Sequence, residues 1–84
     1  MQRPLPTPSM FAILEALDAA PDKTMTRTAA RLAAKLTMRG TRVVLARMED
    51  DRFIASNHAG IVITWGGMEA LKHHRFMKAA KVLS

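Results

Sequence analysis

At 84 residues the chain has room for one domain and one core, and its 13 Lys+Arg against 7 Asp+Glu give a formal charge of +6. With no cysteine, disulfide staples, thiol catalysis and thiolate-bound zinc or iron–sulfur sites are excluded. No run approaches 18 apolar residues, and MQRPLPTPSM has no continuous apolar stretch before its prolines, so neither a membrane span nor an export signal is read and a cytoplasmic protein is expected.

Residues 1–8 carry Pro4, Pro6 and Pro8, which fix φ and remove backbone donors, so they are expected to form an extended, Pro-rich leader ahead of a single α+β domain over 9–84. Ser9 then precedes an amphipathic helix in which Met10, Ile13, Leu14 and Leu17 recur at i, i+3, i+4 and i+7, ending before Pro21. PDKTM reads as a connection, with Thr24 or Thr26 as the next cap.

The second helix is expected from about Met25 to Met38, with Met25, Ala29, Leu32, Ala33 and Leu36 on one side and Gly40 as its stop. Arg27, Arg31, Lys35 and Arg39 recur every four residues on another side, with no acid at i,i+4 to neutralise them. Between Lys23 and Arg47 there are seven basic residues and no acidic one, a field that would concentrate any polyanion.

From Arg42 to Trp65 three short apolar runs, RVVLARM, RFIAS and IVITW, are separated by EDD and NHAG. Their β-branched and aromatic content predicts a three-stranded antiparallel meander, with turns at Glu49–Asp51 and Asn57–Gly60 and with Trp65 on the face of Ile61 and Ile63. Gly66-Gly67 bends the chain into a last helix, Met68 to about Leu83, bearing a second basic group of Lys72, Arg75 and Lys78. The fold class expected is therefore α+β in the order α-α-β-β-β-α, with the helices packed mainly on one face of the sheet and a core of Ile13, Leu14, Leu17, Leu32, Leu36, Val43, Leu45, Ile61, Ile63 and Leu71.

No acid, base and nucleophile converge in this pattern, and no cofactor motif is visible, so a binding protein rather than an enzyme is expected. His73 and His74 are adjacent on a helix and point about 100° apart, which does not suit chelation, and the Glu49–Asp51 run lacks the spaced oxygens and glycine of a calcium loop. The expected function is nucleic-acid binding, to DNA or RNA, mainly through phosphate contacts from Arg27, Arg31, Lys35, Arg39 and Arg42, joined by Lys72, Arg75 and Lys78. The alternative is a small regulatory protein that docks on an acidic protein surface or pairs as a homodimer through surplus apolar faces of the first strand and last helix.

Two resemblances bear on the nucleic-acid reading. Residues 25 to 83, a helix, a three-strand meander and a basic helix, resemble double-stranded-RNA-binding domains in element order, which implies phosphate contacts from Lys72, Arg75 and Lys78; the acidic EDD stands where that family carries its Gly-Pro-x-His type loop. Two helices before a hairpin also resemble winged-helix readers, which implies that the second helix is the reader, with Arg27, Arg31 and Lys35 on phosphates.

Overall fold

A computed structural model describes residues 7–83, with side chains to residue 80. Helix α1 (Pro8–Ala19) is capped by Thr7 rather than Ser9: the Thr7 hydroxyl accepts the Met10 N–H at 3.3 Å, and Pro8 occupies the first turn, where its missing N–H is no loss. The rest of the expected leader lies outside the described residues. Met10, Ile13, Leu14 and Leu17 are all buried, as their spacing requires.

After a 3-10 turn at Pro21–Lys23, in which Asp22 and Lys23 adopt positive φ, the chain enters a two-residue strand, β1 (Thr24–Met25). Thr26 then caps α2 (Arg27–Ala34), accepting the Ala29 N–H at 3.1 Å. This helix stops four residues short of the expected Met38. Lys35 turns left-handed (φ 55°), the Leu36 N–H reaches back to the Arg31 carbonyl at 3.0 Å, and the Lys35 N–H to that of Leu32 at 3.3 Å, which occupies two carbonyls of the last turn.

Thr37 immediately starts a new helix, α3 (Met38–Asp50), its hydroxyl accepting the Gly40 N–H at 3.0 Å. Gly40 is thus inside a first turn and does not end a helix. The strand expected at Arg42–Met48 is the body of α3. RVVLARM alternates, but with Thr41 just ahead of it the stretch also carries Thr41, Leu45 and Met48 at i, i+4 and i+7, and these are the residues buried; β-branched Val43 and Val44 give way to tertiary packing. Glu49 and Asp50 close α3, Asp51 is its C-cap, and the reversal into the sheet is made by Arg52 at φ 61° rather than by a hairpin turn.

β2 (Ile54–Asn57) and β3 (Gly60–Ile63) form the expected hairpin across Asn57–Gly60, in which Asn57 Oδ1 accepts the Ala59 N–H at 2.8 Å. The third strand of the sheet is β1, so that β3 is central: Thr24 pairs with Val62 and Met25 with Ile61. The class expected, α+β with helices packed against a three-stranded antiparallel sheet, therefore holds. The strands are not a consecutive meander, and with β1 ahead of α2 the likeness to double-stranded-RNA-binding domains does not extend to topology. Gly60, at φ +134°, is where β1 crosses: an added Cβ would stand 2.2 Å from the Met25 carbonyl oxygen.

Thr64 caps the last helix, α4 (Trp65–Leu83), accepting the Gly67 N–H at 3.1 Å while its own hydroxyl donates to the Arg52 carbonyl. Trp65 is the first residue of α4 and points outward, 74 % exposed, instead of sharing the sheet face of Ile61 and Ile63. Among the described residues no helix is long and apolar enough to cross a membrane.

The core joins Met10, Ile13, Leu14 and Leu17 of α1 to Ala30, Leu45, Met48, Ile54, Ile61, Ile63 and Leu71. Three expected members fall away: Leu32 is 65 % and Val43 64 % exposed, and Leu36 only borders the cluster. Truncation of Ile63 to alanine should cost about 2–5 kcal/mol, whereas Leu32→Ala should stay within about 0.5 kcal/mol of the parent. Urea midpoints of the two variants check the pair of values, and equal losses would show that α2 is turned wrongly.

Candidate nucleic-acid interface

The break at Lys35–Thr37 decides how the basic residues are arranged. It folds α3 back against α2, so a row that would have wound around one long helix is divided between two packed ones. Arg27 and Arg31 of α2 and Arg42 of α3 line one open cleft of about 320 Å3 with Thr28, Met38, Thr41 and Leu45. Lys35 lies in the turn and Arg39 in the first turn of α3, both exposed. The five residues Arg27, Arg31, Lys35, Arg39 and Arg42 therefore belong to one contiguous unit, α2–turn–α3.

Arg27 is not as free as its acid-poor neighbourhood suggests. Its Nη2 donates to Ser56 Oγ at 3.0 Å and lies 4.0 Å from Glu49 Oε1, and the Ser56 hydroxyl donates to the same Glu49 carboxylate. This bridge joins the start of α2, the end of α3 and strand β2, holding the hairpin against the helix pair.

On α3 the buried side is Thr41, Leu45 and Met48. At about 100° per residue, Arg39, Val43 and Ala46 fall on the opposite side, flanked by Arg42 and Arg47, and all five are exposed. Val43, Ala46 and Arg47 were not among the expected site residues, because a strand reading scatters them over two faces. The helical signal that finds them is Thr37 as cap followed by the Thr41, Leu45, Met48 spacing. On that side small apolar groups are ringed by guanidiniums, with the positive end of the helix dipole beside Arg39.

The other three expected residues sit elsewhere. Lys72, Arg75 and Lys78 are on α4, which packs on α1 and β3. Arg75 is occupied within the protein: its Nη1 is 3.2 Å from Asp18 Oδ2 and its Nε 3.9 Å from Glu15 Oε1, while Lys23 Nζ binds Asp18 Oδ1 at 2.9 Å. His74 stacks on Phe11 with ring centroids 3.7 Å apart.

The hydrogen bond from Lys23, and after it that from Arg75, holds the Asp18 carboxyl below its ordinary value of 3.8. A depressed carboxylate stabilises the fold above its unfolded pKa, and that contribution fades as pH falls through the lower folded value. Melting temperature should therefore drop below about pH 4 less steeply in Asp18→Asn than in the parent. Parallel acid slopes in the two proteins would remove Asp18 from the account of acid stability.

Among the described residues no group of three or more His, Asp or Glu side chains could hold a metal ion. No family model matches this chain, and neither a curated protein nor a solved structure gives a match to it.

Proposed function

We propose that this protein binds duplex DNA, with α3 laid in the major groove, α2 and the turn over the adjoining backbone, and the β2–β3 hairpin as a flanking wing. The observation that carries the reading is the outward face of α3, where Arg39, Arg42 and Arg47 surround Val43 and Ala46 directly after a capped three-residue turn from α2. Helix, short turn, helix and hairpin is the order of a winged helix-turn-helix, in which the second helix of the pair is the reader. That moves the reading element from α2, the sequence-based expectation, to α3.

Duplex DNA is favoured over duplex RNA by shape. A single exposed helix fits a groove about 12 Å wide, whereas the major groove of A-form RNA is too narrow and deep for it. Arginine can take guanine through O6 and N7, and valine or alanine can meet the thymine methyl, so Arg39, Val43 and Ala46 supply modest readout. Most of the affinity comes from phosphates, which Arg31, Lys35, Arg42 and Arg47 reach from either side of that row.

The test is a titration of a labelled mixed-sequence DNA duplex at several salt concentrations. The logarithm of the binding constant should fall linearly with the logarithm of salt, with a slope of about −0.9 per phosphate neutralised. Absence of binding at roughly 0.1 M salt would falsify the reading, and docking of this basic surface on an acidic protein would take its place.

A further inference from the structure

Helix α4 meets the rest of the molecule through one side only. Gly67, Ala70, Leu71 and His74 face the body, and from Lys72 to Ala80 every residue but His74 is exposed. Taking about 100° per residue, Trp65, Glu69, Lys72 and Phe76 fall within about 30° of the direction opposite the packed side. Trp65 is 74 % and Phe76 68 % exposed, and together with Met68 they place two aromatic side chains and a thioether in water on one helix face.

The order along that face is aromatic, acid, base, aromatic, at 65, 69, 72 and 76. A twofold axis crossing α4 between Ala70 and Leu71 sends position 65 onto 76 and position 69 onto 72, since each pair is centred on the same point. We propose that α4 pairs antiparallel with α4 of a second copy about this axis, with Trp65 packed on Phe76 of the other copy and Glu69 bonded to its Lys72. Both contacts occur twice by symmetry, which is the self-complementarity that a twofold interface demands.

A parallel pairing would set lysine against lysine and glutamate against glutamate, so the charges select the antiparallel arrangement. Trp65 and Phe76 lie roughly 16 Å apart along the helix, so the contact spans about three turns. At the exposures found, the four aromatics bring roughly 400–700 Å2 toward the ~1,000 Å2 that a specific interface needs. Met68, Ala79, Ala80 and the stems of Glu69 and Lys72 extend it. This pairing is independent of what α3 binds, because α3 packs on α1, α2 and β2.

The test is sedimentation equilibrium of the whole chain over a range of roughly 1–100 μM, with emission of Trp65, the one tryptophan in the chain, recorded on the same samples. A species of twice 9.3 kDa is expected, with emission shifting to the blue as it forms. Glu69→Lys and Lys72→Glu should each raise the dissociation constant roughly tenfold, and the double variant carrying both should return it to near the parent value. Phe76→Ala should raise it about a hundredfold or more, since it acts twice per dimer. All of these positions are exposed, and circular dichroism confirms folding of each variant. A 9.3 kDa species throughout, or charge reversals whose effects do not cancel when combined, would overturn the proposal.

Discussion

Gly67→Ala should leave little folded protein, even though alanine is the better helix former by about 1 kcal/mol. Gly67 lies in the first turn of α4 against the strand entry, and a Cβ there would stand 2.1 Å from the Phe53 carbonyl oxygen and 2.8 Å from Ile63 Cγ1. Neither neighbour can give way cheaply. The Phe53 carbonyl accepts the Thr64 N–H at 3.1 Å, and Ile63 is a core residue, 5 % exposed. Relief would require α4 to lift from the sheet, uncovering Leu71 and Ile63, and the loss should exceed about 4 kcal/mol, most of the stability of a domain this small. Gly40→Ala is the matched control: its nearest contact is the Thr37 hydroxyl at 3.1 Å, a side-chain atom at an exposed cap. Thermal melts of the pair give the answer, and a cooperative transition for Gly67→Ala near that of the parent would mean that α4 does not approach β3 this closely.

The second large effect concerns DNA. Replacing Arg39, Arg42 and Arg47 together with glutamine should reduce the magnitude of the salt slope by roughly two units, because Arg42 and Arg47 are placed on phosphates and each lost phosphate contact removes about 0.9, while Arg39 is placed on a base edge. At roughly 0.1 M salt, one decade below a 1 M reference, that amounts to about 0.9 decade of affinity per contact, or roughly sixtyfold for the two. The melting temperature should stay near the parent value, since none of the three side chains makes a cross-element bond or ion pair among the described residues. Lys72→Gln with Lys78→Gln is the comparison, and on α4 these two should leave the slope unchanged. Equal losses from the two sets would spread binding over the whole surface and withdraw α3 as reader. Arg27 is unsuited to such a test, because removing it also breaks the bridge to Ser56 and Glu49 and so mixes stability with affinity.

What was legible in the chain divides along physical lines. α1 is plain because Met10, Ile13, Leu14 and Leu17 repeat over two turns with no competing period. The β2–β3 hairpin is plain because Asn57 and Gly60 supply the turn between alternating residues. α3 was hidden by Val43 and Val44, whose strand preference outweighed a helical spacing that only three buried residues carry. β1 has no local signal at all: two residues become a strand because β3 lies beside them. Of the proposed surface, the basic residues Arg27, Arg31, Lys35, Arg39 and Arg42 could be named from charge alone. Their geometry could not, because it depends on a left-handed lysine at position 35, where glycine is the usual choice.

The central place of α1 has a consequence for synthesis. Its buried face touches α2, α3, β3 and α4, so this helix leaves the ribosome ahead of every element that covers it. Leu71 follows Leu17 by roughly 50 residues, which at 5–20 residues per second is roughly 3–10 s of elongation. Throughout that interval Ile13, Leu14 and Leu17 form an apolar stripe with no finished docking surface, available to chaperones or to neighbouring nascent chains. Slowing translation between α1 and α4 should therefore lower the yield of this protein, which expression with slow and fast synonymous codons over that stretch checks.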